Sequence, residues 1–251
     1  MITRVIQNPI FCAKMKKINL IRELEKYAVF NLNIIKNIIK KDNNYAKLVV
    51  YRLKKDNFIF EIEKNKYTLK KDAILISSRI IWPSYISGWS ALRYYNLTEQ
   101  LPQTILIITT RARKKKEIKF NNSRIVFTKV RQKYFFGYRK ERYGEFDIFV
   151  ADKEKALIDS VLFKKISFSE ICDITKNNLN DIDIDLLIEY LIKIKNKTLI
   201  KRFGFLLENL GLEVYHKFKR FIDFKYIALD YSLEKKGEKD KKWRVIKNVE
   251  L

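Results

Sequence analysis

Residues 42–69 read DNNYAKLVVYRLKKDNFIFEIEKNKYTL, and the change of period inside them decides the fold. Up to Lys55 the apolar side chains recur at helical spacing: Ala46, Val49, Val50 and Leu53 lie at i, i+3, i+4 and i+7 and form one stripe. Asp42, Asn43 and Asn44 precede it with oxygens that can accept from the first free amides of a helix. After Asn57 the period drops to two, and FIFEIEKNKYTL alternates apolar and polar residues about a Lys64-Asn65-Lys66 tip, the pattern of a short hairpin. If the stripe faces a core, Lys47, Tyr51 and Lys54 face away from it. Asn43, Asn44, Tyr45, Arg52 and Lys55 extend that outward face, which is rich in groups that bond phosphates and base edges.

Upstream, Leu20, Leu24, Tyr27 and Ala28 keep helical spacing within 18–30. Asn31 to Asn33 interrupt before Ile34, Ile35, Ile38 and Ile39 form a second seam. Three short helices followed by a hairpin with a basic tip is the order of a winged helix-turn-helix, expected over 18–72, in which the third helix enters the major groove. A small helical domain without a ligand has the same pattern, and the outward charge of the third helix favours DNA. Asn57 and Asn65 stand in turns where a left-handed residue is needed, a conformation asparagine tolerates. Residues 1–17, broken by Gln7, Asn8 and Pro9 and lacking a long apolar run, are expected as a tail.

Downstream, 73–83 are expected as a linker and 84–251 as a second domain. SYISGWSALRYYNL reads as a helix; QTILIITT, EIKF, RIVFTKV and FDIFVAD read as strands. Asp152 can cap a helix KEKALIDSVLF, and SFSEICDIT, DLLIEYLIKI and TLIKRFGFLLENL read as further helices, with Gly211 at a stop. YIALDYS is a strand with which WRVIKNVEL can pair. The expected fold class is therefore α+β: a winged helix-turn-helix, then a mixed α/β domain whose C-terminal half is mostly helical.

Charge has a direction along the chain. The formal net charge is +24, of which residues 1–72 carry +10 and 73–151 another +10, while 152–251 carry only +4. Dense positive charge in the first three fifths favours a nucleic-acid partner. The densest basic run, Arg111, Arg113, Lys114, Lys115 and Lys116, follows a strand and can clamp phosphate beside the winged domain or be solvated as a loop.

Several chemistries are excluded or disfavoured. Two cysteines, Cys12 and Cys172, make no disulfide framework, and no CxxC or histidine cluster suggests zinc. His216 is the only histidine, which removes any mechanism needing two. Asp181, Asp183 and Asp185 lack the upstream Gly-Ser turn of a nucleotidyltransferase and read as a loop and helix cap. Asp152, Glu154 and Asp159 do not converge on one point of a helix and read as capping and surface pairing. Glu61 and Glu63 beside Lys64 lack a third acidic ligand for a nuclease site and read as wing surface. Trp89, Tyr94 and Tyr95 read as packing. No window reaches the roughly 20 apolar residues of a membrane span, so a cytoplasmic protein is expected, with no cofactor, metal or catalytic residue.

Residues 84–110, SYISGWSALRYYNLTEQLPQTILIITT, resemble the start of the antitoxin domain of the AbiEi family. KYFFGY at 133–138, FVADKEKALIDSVL at 149–162 and LIKRFGFLLENLG at 199–211 resemble later parts of it. YRLKKDNFIFEIEKNKYTL at 51–69 is similar to the helix and wing these proteins carry ahead of that domain. The resemblance implies a type IV toxin-antitoxin pair: an antitoxin that represses its own operon and counteracts a nucleotidyltransferase-like toxin in phage defence. From the residues, double-stranded DNA of the operon's own promoter is the expected partner, with Lys64 and Lys66 gripping the backbone beside the groove-facing helix and two copies on an inverted repeat. The alternatives are an orphan winged-helix regulator without a toxin and an enzyme acting on nucleic acid through an unrecognised site.

Overall fold

Short polar side chains start the helices of the N-terminal third. In the computed structural model, which describes residues 9–250, Asn31 accepts from the Ile34 amide at 3.1 Å to open α2 (Leu32–Ile39). Asp42 accepts from Tyr45 at 2.7 Å to open α3 (Asn43–Lys55). Ahead of them α1 runs from Pro9 to Glu25, so the expected tail is helical from residue 9; residues 1–8 lie outside those described. Asn57 at φ 57° and Asn65 at φ 61° take the left-handed turns expected of them. Between and after these turns lie β1 (Phe60–Glu63) and β2 (Lys66–Thr68), an antiparallel hairpin.

A small core joins these elements: Leu20, Leu24, Phe30, Ile35, Ala46, Val50, Leu53 and Ile59 are buried together. The hairpin is pinned to the α1–α2 connection. Phe30 and Tyr67 exchange backbone bonds of 2.9 and 2.8 Å, and the Thr68 hydroxyl donates to the Ala28 carbonyl at 2.8 Å.

Residues 73–83, expected as a linker, instead hold α4 (Ala73–Ile80), opened by Asp72 with bonds to the Ile74 and Leu75 amides. Ala73, Leu75, Ile76 and Ile80 are buried in the larger core. Eight residues are too few for a helical period to show, and the two serines obscured the apolar face. Ser77 and Ser78 are buried because each hydroxyl donates one turn back, to Ile74 and Leu75.

The single helix expected over 84–97 is also corrected. Its first four residues, SYIS, are β3 (Ser84–Ser87), and after Gly88 at φ 62° the chain turns into α5 (Trp89–Tyr94). All four residues of β3 are buried, since a central strand is covered on both faces and shows no alternation. With β4 (Thr104–Thr109), β5 (Glu117–Phe120), β6 (Ser123–Lys129), β7 (Tyr138–Tyr143) and β8 (Phe146–Ala151) it forms a six-stranded sheet of order β5-β6-β4-β3-β8-β7. β3–β8 and β4–β6 are parallel; the remaining pairs are antiparallel.

Helices α4, α5 and α6 (Lys153–Leu162) pack on the sheet, and α7 (Phe168–Asn177), α8 (Ile184–Ile194) and α9 (Lys197–Asn209) extend the core. Ser167 and Glu170 form a reciprocal cap at the start of α7. After α10 (Tyr215–Phe218), a three-stranded sheet is built from β9 (Ile227–Ala228), β10 (Glu238–Asp240) and β11 (Val245–Lys247), so YIALDYS and WRVIKNVEL do pair. Gly204 leaves α9 bare where the buried indole of Trp243 enters: a Cβ there would lie 2.1 Å from the ring. The Trp243 indole N–H donates to Glu208 at 2.8 Å. The described residues are thus a mixed α+β structure, and no helix among them is long and apolar enough to cross a membrane.

Candidate nucleic-acid interface

Helix α3 is amphipathic in the expected sense. Ala46, Val50 and Leu53 are buried, whereas Asn43, Asn44, Tyr45, Lys47, Tyr51, Arg52, Lys54 and Lys55 are exposed. Tyr51 is 63% exposed and projects from the middle of the helix. Only Lys40, Lys41 and Asp42 separate α2 from α3, and Lys40 turns the chain with φ 50°. Lys47, Arg52 and Lys55 pair with no carboxylate among the described residues.

Lys54 behaves differently from its neighbours. Its ammonium is bonded to Glu61 on β1, and that hydrogen bond raises its pKa above the ordinary lysine value. The contact fixes the helix end to the hairpin, and it neutralises one of the cations expected to face a ligand.

The hairpin tip is fixed too. The Asn65 side chain accepts from the Leu32 amide at 3.0 Å, docking the turn on the start of α2. Lys64 is exposed there. Lys66, expected to grip phosphate with it, turns inward: its ammonium is 2.7 Å from Glu63 and 2.5 Å from the Ile80 carbonyl at the end of α4.

Glu63 is the joint between the hairpin and the sheet. Arg113, from the basic loop after β4, donates to Glu63 at 2.6 Å and lies 4.1 Å over the Phe127 ring, its side chain only 11% exposed. Burial works against the Glu63 charge, but the bonds from Lys66 and Arg113 outweigh it and hold the carboxyl below its ordinary range. Arg113 is therefore a brace, and it sets Arg111, Lys114, Lys115 and Lys116, all exposed, beside the hairpin. Asn121 adds a bond to the Lys71 carbonyl at 2.7 Å, and Tyr143 one to Asp72 at 2.8 Å.

Of the residues expected to face a ligand, Lys54, Lys66 and Arg113 are instead paired with Glu61 and Glu63. The signal missed was Glu61 and Glu63: two acids at alternate positions of a strand in an otherwise basic stretch, each able to take a lysine or arginine out of solvent. Glu63 is not simple wing surface, since it is half-buried between its partners, whereas Glu61 is exposed on the hairpin as expected.

A second charged cluster is wholly interior. Lys155 and Asp159, one turn apart on α6, pair with each other, and both are fully buried. Tyr85 and Ser87 of β3 donate to Asp159 at 3.0 Å each, and Lys155 donates to the Tyr85 hydroxyl at 2.9 Å. Burial and the neighbouring carboxylate push the Tyr85 phenol far above its ordinary range, which keeps it a donor. Gly137 is required beside them, because a Cβ would come within 2.8 Å of Tyr190 and 3.1 Å of Lys155.

The chain matches no protein-family model and no curated protein.

Glu154 and Asp159 are buried and do not serve in surface pairing as expected, whereas Asp152 does pair with Arg139 at 3.5 Å. Asp152 precedes α6 without a side-chain cap and accepts from Tyr190 at 2.7 Å; Glu154 is buried and accepts from the Asp183 amide at 2.8 Å. Asp183 caps α8, as expected of that acidic run, and Asp181 lies beside Lys153. Tyr94 and Tyr95 are half-buried, with hydroxyls on Glu141 and Arg139. Among the described residues no group of three histidine, cysteine, aspartate or glutamate side chains could hold a metal ion.

Proposed function

We propose that this chain is a DNA-binding antitoxin that represses its own operon, with α1 to α3 and the β1–β2 hairpin acting as a winged helix-turn-helix. The observation that carries the reading is α3: a helix locked by one buried face, joined to α2 by three residues, whose other face offers amides, cations and an exposed tyrosine. Asn43, Asn44, Tyr45, Lys47 and Tyr51 enter or border the major groove, and Arg52 and Lys55 meet the flanking backbone. Lys64 at the wing tip, with Arg111 and Lys114 of the braced loop, extends the phosphate contacts. Lys54, Lys66 and Arg113 act by holding those elements in register. Two copies on an inverted repeat of the promoter suit a single recognition helix per chain.

The resemblance of residues 84–211 to AbiEi antitoxin domains supports assigning that region to counteracting a nucleotidyltransferase-like toxin. Binding of the purified chain to its own upstream DNA against scrambled duplex, across a salt series, tests the first part, because nonspecific attraction fades steeply with salt. Sequence preference retained at physiological salt is the expected result; equal, salt-sensitive binding to both overturns it. Rescue of cells arrested by a toxin encoded beside the gene tests the second part, and full rescue by residues 1–72 alone would remove the assignment to 84–251.

A further inference from the structure

Residues 219–226, KRFIDFKY, combine three cations with three aromatics, and their turn is anchored from below. Lys201 of α9, 1% exposed, donates at 2.5 Å to the Asp223 carboxylate and at 2.5 Å to the Lys225 carbonyl. Lys197 approaches the same carboxylate at 3.3 Å, and the bond from Lys201, followed by that from Lys197, holds Asp223 down to about 2. Between these two tethered residues Phe224 is 87% exposed.

A single exposed ring is ordinary on a protein surface, but Phe224 has organised neighbours. The Arg244 guanidinium lies 5.7 Å from its centroid and 5.5 Å from that of Tyr226, and it donates to the Tyr226 hydroxyl at 3.1 Å. Lys239 lies 5.5 Å over the Tyr226 ring from the other strand. Arg244 holds this position with φ 56°, a left-handed conformation that costs an arginine energy.

Charge pairing separates this patch from its surroundings. Lys236, Lys242 and Lys247 pair with Glu234, Glu208 and Glu238, whereas Lys225, Lys239 and Arg244 pair with no carboxylate among the described residues. An exposed ring, Phe224, and a half-buried one, Tyr226, beside unneutralised cations match a chain that offers flat faces and phosphates together. A duplex hides its base faces, and a polyacidic peptide has none, so an unpaired strand is the occupant that uses both features.

We infer that Phe224, Tyr226, Arg244, Lys239 and Lys225 form a docking surface for single-stranded nucleic acid, separate from the α3 face. A base stacks on Phe224 while Arg244, Lys239 and Lys225 meet the flanking phosphates.

Fluorescence anisotropy of the full chain with a labelled single strand of about twelve nucleotides, carrying a fluorescent base analogue, tests this. Phe224→Ser should weaken binding about tenfold and abolish quenching of the analogue, Phe224→Trp should retain both, and Arg244→Gln should weaken binding mainly at low salt. Phe224→Ser should leave duplex operator binding and the melting curve unchanged, while Lys47→Ala should leave single-strand binding unchanged, so failure of either surface is seen separately. Equal single-strand binding by the parent and Phe224→Ser would overturn the inference. So would displacement of the strand by polyglutamate at equal charge concentration, which would make the patch a site for acidic protein.

Discussion

The two cores of this molecule treat positive charge in opposite ways. Around the small core, Lys47, Arg52 and Lys55 of α3 stand in solvent and pair with no carboxylate among the described residues, while Lys54 alone is held by Glu61. In the large core, Lys155, Lys201 and Arg202 are buried, and their charges are consumed by Asp159, by Asp223, and by the Ala228 and Leu229 carbonyls. A net charge of +24 counts both kinds alike. Only the first kind is available to a polyanion; the second organises the fold, at a desolvation cost that its hydrogen bonds must offset.

The largest effect that could break this contrast is expected inside. Lys155→Met leaves the Asp159 carboxylate buried and unpaired, and should cost about 3–5 kcal/mol of stability in urea unfolding. Adding Asp159→Asn should recover part of that loss, because a neutral amide still accepts from Tyr85 and Ser87. If K155M alone is tolerated within about 0.5 kcal/mol, the buried pair is not a structural element and the contrast fails.

On the outer face the same kind of substitution should do the reverse. Arg52→Ala with Lys55→Ala should leave the unfolding midpoint nearly unchanged, weaken operator binding about tenfold or more, and reduce the salt slope by about 2, one for each lost phosphate contact. A fall in stability with unchanged DNA affinity would show that these residues belong with the interior set.

The third case lies between the two. Glu63, held below its ordinary range, stabilises the hairpin against the Arg113 loop when charged. That stabilisation is present above the unfolded glutamate pKa, about 4.3, and is lost as pH falls through the lower folded value. Glu63→Gln should cost about 1–2 kcal/mol at neutral pH and should flatten the acid limb of stability against pH. An acid limb identical in parent and variant would mean that Glu63 does not couple the two cores.

What the sequence disclosed and concealed follows the same line. The amphipathic period of α3, the alternating hairpin and the left-handed asparagines are local patterns, and each was read from its own residues. α4 and β3 were misread because their surroundings decide them: AILISSRI buries its serines through bonds one turn back, and SYIS is a strand only because sheet neighbours cover both faces. The outward face of the site was legible for the same reason as the helix. The inward turn of Lys66 and Arg113 was not, because Glu63 meets Arg113 across fifty residues of sequence, and no periodicity records that meeting. Asp159 was read as capping or surface pairing, because its burial with Lys155 depends on β3 and on the bare backbone at Gly137.

Gly204 and Trp243 set a timetable for the nascent chain. Every residue of the small core lies before Leu69, whereas the notch at Gly204 in α9 stays empty until the ribosome has added Trp243. At usual elongation rates that interval is roughly ten to thirty-five seconds. Helix α3 can thus be assembled while α9 still shows an open slot, which the stretch around Trp243 closes.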